Sequence, residues 1–424
     1  MKNEAGRPVW AKGFWSGIDR NAKLVIFSDV VGSLGRSLVW FAGPFLILAL
    51  GGGKVDLGDI FAIATFVSAA VTLLAGISSD FFKRRDLFLW AGAALQLFSY
   101  SMLVTANSLD VLLLANVMAS IASALFMPTK MTIIGDTVES SKKNQVFAAL
   151  FLFDNVSFGM GNIVGFFVFQ DATAEISLAP LRFALIIALS FMLLEFLVVL
   201  FIRDRGKKDL ADEYRQKPRI NGSTKLFDRR TAILVVAANY TVSLGAGTSI
   251  IFMSVFFNDY YGISLSLISL IFGVMIFFTA YWGKIMGDMA DRFGRVKSIF
   301  ATQMVATVLL YILSAYPPFV FALLTLIVRN AFMNGSSPVI NALLTDSVDK
   351  RRRGTWVSVN MVGWSALFAI GNSLGGRIIE NYSYGPAFFV TATLYLIGTL
   401  IFLAIKEDRG EGVLKESNQL PVSI

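Results

Sequence analysis

Ionisable residues stand inside long apolar stretches of this sequence. Arg36 and Arg329 each lie near the middle of such a stretch, whereas Asp29, Asp154 and Lys284 lie nearer to the end of theirs. A charged group at the centre of a membrane costs roughly 3 kcal/mol even on the most lenient scale, so such residues are functional candidates. The chemistry open to them is the binding of ions and the carriage of protons.

The two arginines indicate an anionic ligand. Neither has a carboxylate at its own level in the sequence, and a guanidinium group binds a carboxylate or phosphate through two parallel hydrogen bonds. We therefore predict that Arg36 and Arg329 bind an anionic group of a substrate. The alternative is that each caps backbone carbonyls or pairs with a carboxylate displaced in depth.

The carboxylates offer a second chemistry. Asp29 and Asp154 are candidate carriers of a coupling proton, because a low-dielectric pocket favours the neutral form of a carboxyl group. Alternatively, Asp154 and Lys284 form an ion pair that breaks during a conformational change. Glu195 lies in another apolar stretch, where we expect it to have a structural or snorkelling role.

Two residue types are missing, and their absence excludes several classes of site. The chain has no cysteine and no histidine, which rules out disulfides, thiol chemistry, Cys/His zinc sites and imidazole catalysis. Only scattered carboxylates remain, without an evident nucleophile. We expect no enzymatic activity, no cofactor and no bound metal.

The composition requires a membrane. Hydrophobic residues make up 55% of the chain and charged residues only 16%. About 20 apolar residues span the hydrocarbon core of a bilayer. Twelve stretches meet that length, at 24–50, 57–79, 87–106, 110–135, 146–169, 181–202, 231–257, 263–287, 297–315, 319–344, 355–379 and 385–405.

The basic residues predict an orientation. Placing both termini and every second loop in the cytoplasm collects 30 of the 37 Lys and Arg residues there and leaves Lys54, Arg182 and Arg377 outside. Because cytoplasmic loops carry such an excess, we predict a multi-pass protein of the cell membrane with both termini cytoplasmic. This bias accounts for the net charge of +8, so we expect no nucleic-acid partner.

The second half of the chain repeats the first at an offset of about 210 residues. The repeated landmarks are Ser33-Leu34-Gly35 and Ser243-Leu244-Gly245, Pro128 and Pro338, and Gly161-Asn162 and Gly371-Asn372. Two tandem copies of one membrane unit are typical of secondary transporters, in which two halves rock about a site between them.

The repeat and one polar segment predict the domains. Residues 203–230 carry ten basic residues and separate the two copies. The predicted divisions are an amphipathic cytoplasmic segment at 1–23, a six-helix bundle at 24–202, a cytoplasmic linker at 203–230, a second six-helix bundle at 231–405 and a cytoplasmic tail at 406–424. The fold class is therefore an all-α membrane protein of twelve helices in two pseudo-symmetric bundles.

The loop after the eighth span carries a specific motif. Gly287-Asp288-Met289-Ala290-Asp291-Arg292-Phe293-Gly294-Arg295 resembles the G-x-x-x-D-R-x-G-R signature of the major facilitator superfamily. The first copy keeps Gly76, Asp80 and Arg84 but has Phe81 and Lys83 in place of the Arg and Gly. With the twelve spans and the repeat, the resemblance covers nearly the whole chain.

The resemblance implies gates at the cytoplasmic ends. Asp80 would face the N-terminus of the eleventh helix, and the pairs Arg84–Asp136 and Arg295–Asp346 would act as latches that hold an outward-facing state. The alternative is that these are solvated loop charges. The predicted gating residues are Gly76, Asp80, Arg84 and Asp136 in the first copy and Gly287, Asp291, Arg292, Gly294, Arg295 and Asp346 in the second.

The resemblance also implies a substrate cavity lined by the first, fourth, seventh and tenth spans. Drug–proton antiporters of the superfamily carry G-P-x-x-G-G on span five, where this chain has Asn162 and Phe166 in place of Pro and the last Gly. We take Asn162 and Asn372 as candidates for substrate contact or for helix packing. Trp364, which aligns with Asp154 in the repeat, is the aromatic candidate.

We expect a monomeric carrier that works by alternating access. Its predicted function is proton-coupled efflux of a small molecule, a drug or metabolite. The alternative is an organic-anion transporter that uses Arg36 and Arg329. A third hypothesis is a sensor that is built on the same scaffold and does not transport.

Overall fold

The structure is a computed structural model that describes residues 18–81, 85–138, 143–170, 176–203, 229–348 and 353–405. Its helices form twelve membrane spans. Spans 1 to 6 are Arg20–Ala49, Lys54–Phe81, Arg85–Thr105, Leu109–Thr137, Lys143–Val168 and Leu178–Val199. Spans 8, 9, 11 and 12 are Leu265–Phe293, Arg295–Ser314, Arg353–Asn381 and Tyr384–Ile401.

Spans 7 and 10 are each built from two helices. Span 7 runs over Arg229–Ser249, a 3-10 turn at Ile250–Phe252, and Met253–Tyr261. Span 10 runs over Phe319–Gly335 and Ser337–Asp346, and Pro338 stands in the first turn of the second helix, where its missing N–H leaves no bond unmade. The equivalent Pro128 lies inside the continuous helix of span 4. The two copies therefore differ at the same proline.

The predicted twelve spans are confirmed, with small shifts at their ends. Span 1 starts at Arg20 rather than at 24, because the side chain of Asp19 accepts a hydrogen bond from the backbone N–H of Asn21 and caps the helix. Span 8 ends at Phe293 and span 9 begins at Arg295, and Gly294 between them has a φ of 93° that favours glycine. The glycine at this position therefore allows the tight turn between the two spans.

The spans pack as two six-helix bundles, as predicted. In the first half, span 1 packs against spans 5 and 6, and span 4 against spans 2 and 3. The second half repeats this arrangement, with span 7 against spans 11 and 12 and span 10 against spans 8 and 9. The halves meet chiefly where span 2 packs against span 11 and span 5 against span 8.

An even number of spans places Arg20, Arg203, Arg229 and Ile405 on one side of the membrane, which we call the termini side; the other is the opposite side. The described contacts between the halves lie at the centre and on the opposite side. The predicted amphipathic segment, nearly all of the linker and the predicted tail fall outside the described residues, at 1–17, 204–228 and 406–424.

Candidate functional site

A cluster of five charged side chains lies inside the first half. Asp29, Ser33 and Arg36 occupy positions i, i+4 and i+7 of span 1 and therefore share one face of the helix. The guanidinium group of Arg36 donates to Asp29 Oδ1 at 2.8 Å and to Ser33 Oγ at 2.6 Å. It also lies 3.0 Å from Glu195 Oε1 and 3.7 Å from Asp154 Oδ1. One arginine thus holds carboxylates from three spans.

A lysine completes the cluster. Lys130 of span 4 is 2% exposed, and its Nζ lies 2.5 Å from Asp29 Oδ1. Glu195 of span 6 packs directly over Gly32, where any larger residue would collide with its carboxylate. With all five groups ionised, three carboxylates face two cations, so the cluster carries one net negative charge.

Asp154 is the member of the cluster that reaches open space. Its side chain is 39% exposed, whereas those of Asp29 and Glu195 are 1% and 5% exposed. The hydroxyl of Ser33 donates to Asp154 Oδ1 and ties it to span 1. Any exchange of a proton or ligand with the cluster is therefore easiest at Asp154.

The second half contains a cavity of about 260 Å³ that has no charged residue in its lining. Spans 7, 10 and 11 contribute its walls: Asn239, Ser337, Ile340, Asn341, Asn360, Met361, Trp364 and Ser365. Asn239 donates to Asn360 Oδ1 at 3.0 Å, and Ser243 Oγ donates to the backbone carbonyl of Trp364. The predicted candidate Trp364 thus lines a cavity.

The two halves are bound together on the opposite side. Lys54 Nζ of span 2 lies 2.6 Å from Asp259 Oδ2 of span 7, and the Lys54 backbone N–H donates to Glu380. Arg377 of span 11 pairs with Asp59 of span 2 at 2.8 Å. At the centre, Ser269 Oγ of span 8 donates to the backbone carbonyl of Asn162. The described contacts between the halves thus lie on the opposite side and at the centre.

A family model decides the family of this chain. The model of the Major Facilitator Superfamily matches residues 25–288 and 235–423, so that the two matches together cover nearly all twelve spans. The chain belongs to the major facilitator superfamily. It accordingly belongs to a family of transporters, not of enzymes, and its twelve spans make it a multi-pass membrane protein.

Curated relatives match a shorter part of the chain. It is 25% identical over 147 residues to the multidrug resistance protein MdtG of Citrobacter koseri, which covers 35% of this chain and 36% of the relative. The MdtG protein of Salmonella typhi is 26% identical over 140 residues, with coverage of 33% and 34%. The match spans about a third of the length of these relatives.

Solved structures of several transporters share the fold over most of the chain. A bacterial homologue of the iron transporter ferroportin in an inward-facing state gives a TM-score of 0.71 at 16% identity, covering 91% of this chain and 98% of that one. The nucleoside transporter NupG gives 0.69 at 15% identity, with coverage of 91% and 99%. A peptide transporter POT mutant gives 0.73 at 12% identity, with coverage of 92% and 95%.

The packing of spans 5 and 6 on span 1 explains why the prediction that Arg36 lacks a carboxylate partner was wrong. Arg36 was expected to have no carboxylate at its level, yet Asp29, Asp154 and Glu195 all lie within 4 Å of its guanidinium group. The long side chain and the close packing of spans 5 and 6 on span 1 bridge the difference in depth. The alternative of carboxylates displaced in depth is confirmed. Glu195 is buried on Arg36, so it does not snorkel.

The predicted ion pair between Asp154 and Lys284, which was expected to break during the conformational change, is not formed in this structure, and its role in that change stays a prediction. Both residues are described, and no ion pair within 4.0 Å joins them; Asp154 bonds to Ser33 and lies near Arg36 instead. Lys284 is exposed at the termini-side part of span 8. Spans 5 and 8 meet at Gly159 and Gly273, nearer to the centre.

Arg329 does not face the cavity. It is 2% exposed, and its Nη2 donates to the hydroxyl of Tyr395 on span 12 at 2.6 Å. Its guanidinium carbon also lies 5.3 Å from the centroid of the Tyr395 ring. The orientation of span 10 therefore places this arginine inside the second bundle. Its predicted contact with a substrate assumed that the guanidinium group faces the cavity, and it does not.

The two asparagines of the repeat take part in packing. Asn162 is 1% exposed and donates to the Phe158 carbonyl of its own helix, whereas the buried amide of Asn372 faces the carbonyls of Phe368 and Gly247. Neither lines the cavity. The glycines beside them allow close helix approach, since a methyl group at Gly161 would lie 2.5 Å from a carbonyl oxygen of span 1.

The predicted gate of the second half is partly visible. Arg295 Nη1 lies 2.7 Å from Asp346 Oδ2, so the expected ion pair is present, and Asp291 and Arg292 are exposed at the end of span 8. The pair joins spans 9 and 10, which belong to the same half. It therefore does not by itself hold the halves together, and its gating role stays a prediction.

The predicted gate of the first half cannot be compared with the structure. Arg84 lies outside the described residues. Gly76, Asp80 and Asp136 lie in described helices, but their side chains are not described. The latch between Arg84 and Asp136 therefore stays a prediction.

Several residues of the site escaped the sequence analysis. Polar residues recur on span 10 at i, i+4, i+7 and i+11, as Asn330, Asn334, Ser337 and Asn341, and the last two line the cavity. Helical spacing alone could have identified this polar face. Lys54 and Arg377 were treated only as topology markers, and no local signal in the sequence reveals their partners on other spans.

Proposed function

We propose that this transporter exports drugs or metabolites by exchange for a proton. The observation that carries the proposal is the buried cluster around Arg36, in which Asp154 alone is substantially exposed. A carboxylate tied to buried charges and open to water can bind a proton in one state and release it in another. Asp154 is our candidate for the proton carrier, in preference to the buried Asp29.

Charge balance supports one proton per cycle. The cluster carries one negative charge when all its groups are ionised, and a proton on Asp154 makes it neutral. A cationic group of a substrate beside Asp154 would have the same effect. Because a second positive charge is not compensated by the cluster, proton and cationic substrate exclude each other at Asp154, which is the basis of exchange.

The anion-transporter alternative loses its basis in the geometry. Arg36 already has three carboxylate neighbours, and Arg329 is enclosed with Tyr395. An anion near Asp154 would add a second uncompensated negative charge to the cluster. The names of the curated relatives, both multidrug resistance proteins, also favour the efflux of drugs.

The test is flux into proteoliposomes. We expect acid-inside vesicles to accumulate the cationic dye ethidium, because protons leaving the lumen drive the dye inward, and we expect the small anion benzoate to remain outside. Asp154→Asn keeps the hydrogen bond from Ser33 but cannot release a proton. We therefore expect this variant to lose accumulation that depends on the pH gradient.

A matched control is available in Asp110→Asn. Asp110 is an exposed acid in the first turn of span 4, remote from the cluster, and its variant should behave as the wild type. Retained gradient-driven uptake in Asp154→Asn would remove Asp154 as the proton carrier. Movement of benzoate with ethidium inert would replace drug efflux by anion transport.

A further inference from the structure

The uncharged cavity and the charged cluster occupy equivalent places in the two halves. At the repeat offset of 210 residues, Asn239 corresponds to Asp29, Ile340 to Lys130, and Trp364 to Asp154. The hydrogen bond from Ser243 to the Trp364 carbonyl matches that from Ser33 to Asp154, since both join residues 121 positions apart. The same architectural site is therefore ionic in one half and neutral in the other.

The cavity retains hydrogen-bonding groups without partners. The pair Asn239–Asn360 uses one amide N–H and one amide oxygen, so whichever way the two amides are turned, one oxygen and one NH₂ group remain. Among the described residues, the side chains of Asn341, Ser337 and Ser365 also have no hydrogen-bond partner across the cavity. The cavity thus offers both donors and acceptors.

We propose that this cavity binds the uncharged, hydrogen-bonding part of the transported compound, an amide, carbonyl or hydroxyl group carried on an aromatic ring that packs against Trp364. The proposal rests on the proposed function in one respect only, namely that the bound compound is the cargo. A charged group has no counter-ion in the cavity, because none of its lining residues is ionisable. Neutral polar groups, by contrast, can satisfy the free amides.

The division of labour between the halves follows from these contacts. The cluster of the first half accounts for charge and proton, and the cavity of the second half accounts for the recognition of neutral polar groups. The volume of about 260 Å³ accommodates part of a drug-sized compound rather than all of it. The remainder must extend toward the first half.

The decisive experiment measures binding, not flux. Equilibrium dialysis of the purified full-length protein would use chloramphenicol, an uncharged aromatic amide with hydroxyl groups, and tetraphenylphosphonium, an aromatic cation without hydrogen-bonding groups. The test variant is Asn239→Leu/Asn360→Leu, which replaces both partners of the pair by apolar residues of similar size and leaves neither amide unpaired. Asn116→Leu/Asn155→Leu is the matched control, because both residues lie in the first half and donate only to carbonyls of their own helices.

We expect the test variant to bind chloramphenicol at least about tenfold more weakly, since two hydrogen bonds are lost, and tetraphenylphosphonium within about twofold of the wild type. The control should bind both probes as the wild type does. Absence of chloramphenicol binding to the wild type, equal losses for both probes, or an equal loss in the control would overturn the proposal.

A second variant covers the case in which the double variant fails to fold. Asn341 is exposed, so Asn341→Leu should fold, and we expect it to weaken chloramphenicol binding by about fivefold. Unchanged affinity in this variant would contradict the assignment. Dialysis needs neither a proton gradient nor flux, so it tests the cavity independently of the proposed function. If the wild type showed this binding pattern but no ethidium uptake driven by the pH gradient, proton exchange would be refuted and the cavity assignment would stand.

Discussion

Replacing Asp259 by Asn should open the opposite side of the protein. Asp259 of span 7 pairs with Lys54 of span 2 across the two halves, with 2.6 Å between Oδ2 and Nζ. The side chains are 33% and 19% exposed, so the pair is neither fully solvated nor fully buried. Asn keeps an oxygen that can accept from Tyr384 but removes the charge that attracts Lys54.

The size of the effect follows from this intermediate exposure. Exposed ion pairs contribute about 0.2–1 kcal/mol, and breaking a buried pair costs about 3–5 kcal/mol. We expect about 1–2 kcal/mol for Lys54–Asp259. At about 1.4 kcal/mol per factor of ten, the ratio of molecules open to molecules closed on the opposite side should rise about five- to thirtyfold.

The chain is well suited to the measurement because it contains no cysteine that would have to be removed. Spin labels on Gln170→Cys and Tyr382→Cys, which lie on the opposite side in different halves, would report opening as a longer distance in pulsed electron resonance. Tyr382 is 77% exposed and tolerates a label. Raising the salt concentration from about 0.01 to 1 M should move the wild type toward the variant, because salt screens partly exposed pairs.

Two results would refute this reasoning. Asp259→Asn would leave the distance distribution unchanged, or Lys54→Met would produce the same further shift in the Asp259→Asn background as in the wild type, which would show that the two residues are not coupled. Asp110→Asn is the control on the same side of the membrane. It should change nothing.

Three further predictions concern stability in detergent, measured as thermal unfolding midpoints, and one of them also concerns transport. Gly161→Ala should cost about 1–3 kcal/mol, because its methyl group meets the backbone of span 1. Gly287→Ala should cost far less, since nothing described lies within 4 Å of that position, and equal losses would contradict the packing described. Glu195→Gln should cost about 2 kcal/mol, because the partly buried Arg36 keeps only two of its carboxylates. A wild-type midpoint would show that the third carboxylate is dispensable. Arg295→Ala should cost less than about 1 kcal/mol, since the ion pair it breaks is exposed. A slower dye flux at an unchanged unfolding midpoint would support the gating role of Arg295, and an unchanged flux would argue against it.

The fold was predictable because its determinants are local or repetitive. Hydropathy and length define each span without reference to any other, and an offset of about 210 residues shows that six spans form a unit used twice. The Arg295–Asp346 pair was predictable from the family resemblance, because Arg295 belongs to the signature and the resemblance pairs it with Asp346 at the end of span 10.

The tertiary structure alone decided which charges meet and which polar groups share a cavity. Arg36 contacts Glu195, 159 residues away, because spans 1 and 6 pack together with these side chains at the same depth and facing each other. The hydropathy of a span reveals neither its relative depth nor its rotation about the helix axis. The orientation of span 10 likewise turns Arg329 toward Tyr395 and away from the cavity of the second half. The cavity of the second half joins side chains of three spans, and the ion pair of Lys54 with Asp259 joins the two halves. A helix presents a new face every 100° along the chain, so the sequence determines which residues are within the membrane, and only the packing of the helices determines what each of them faces.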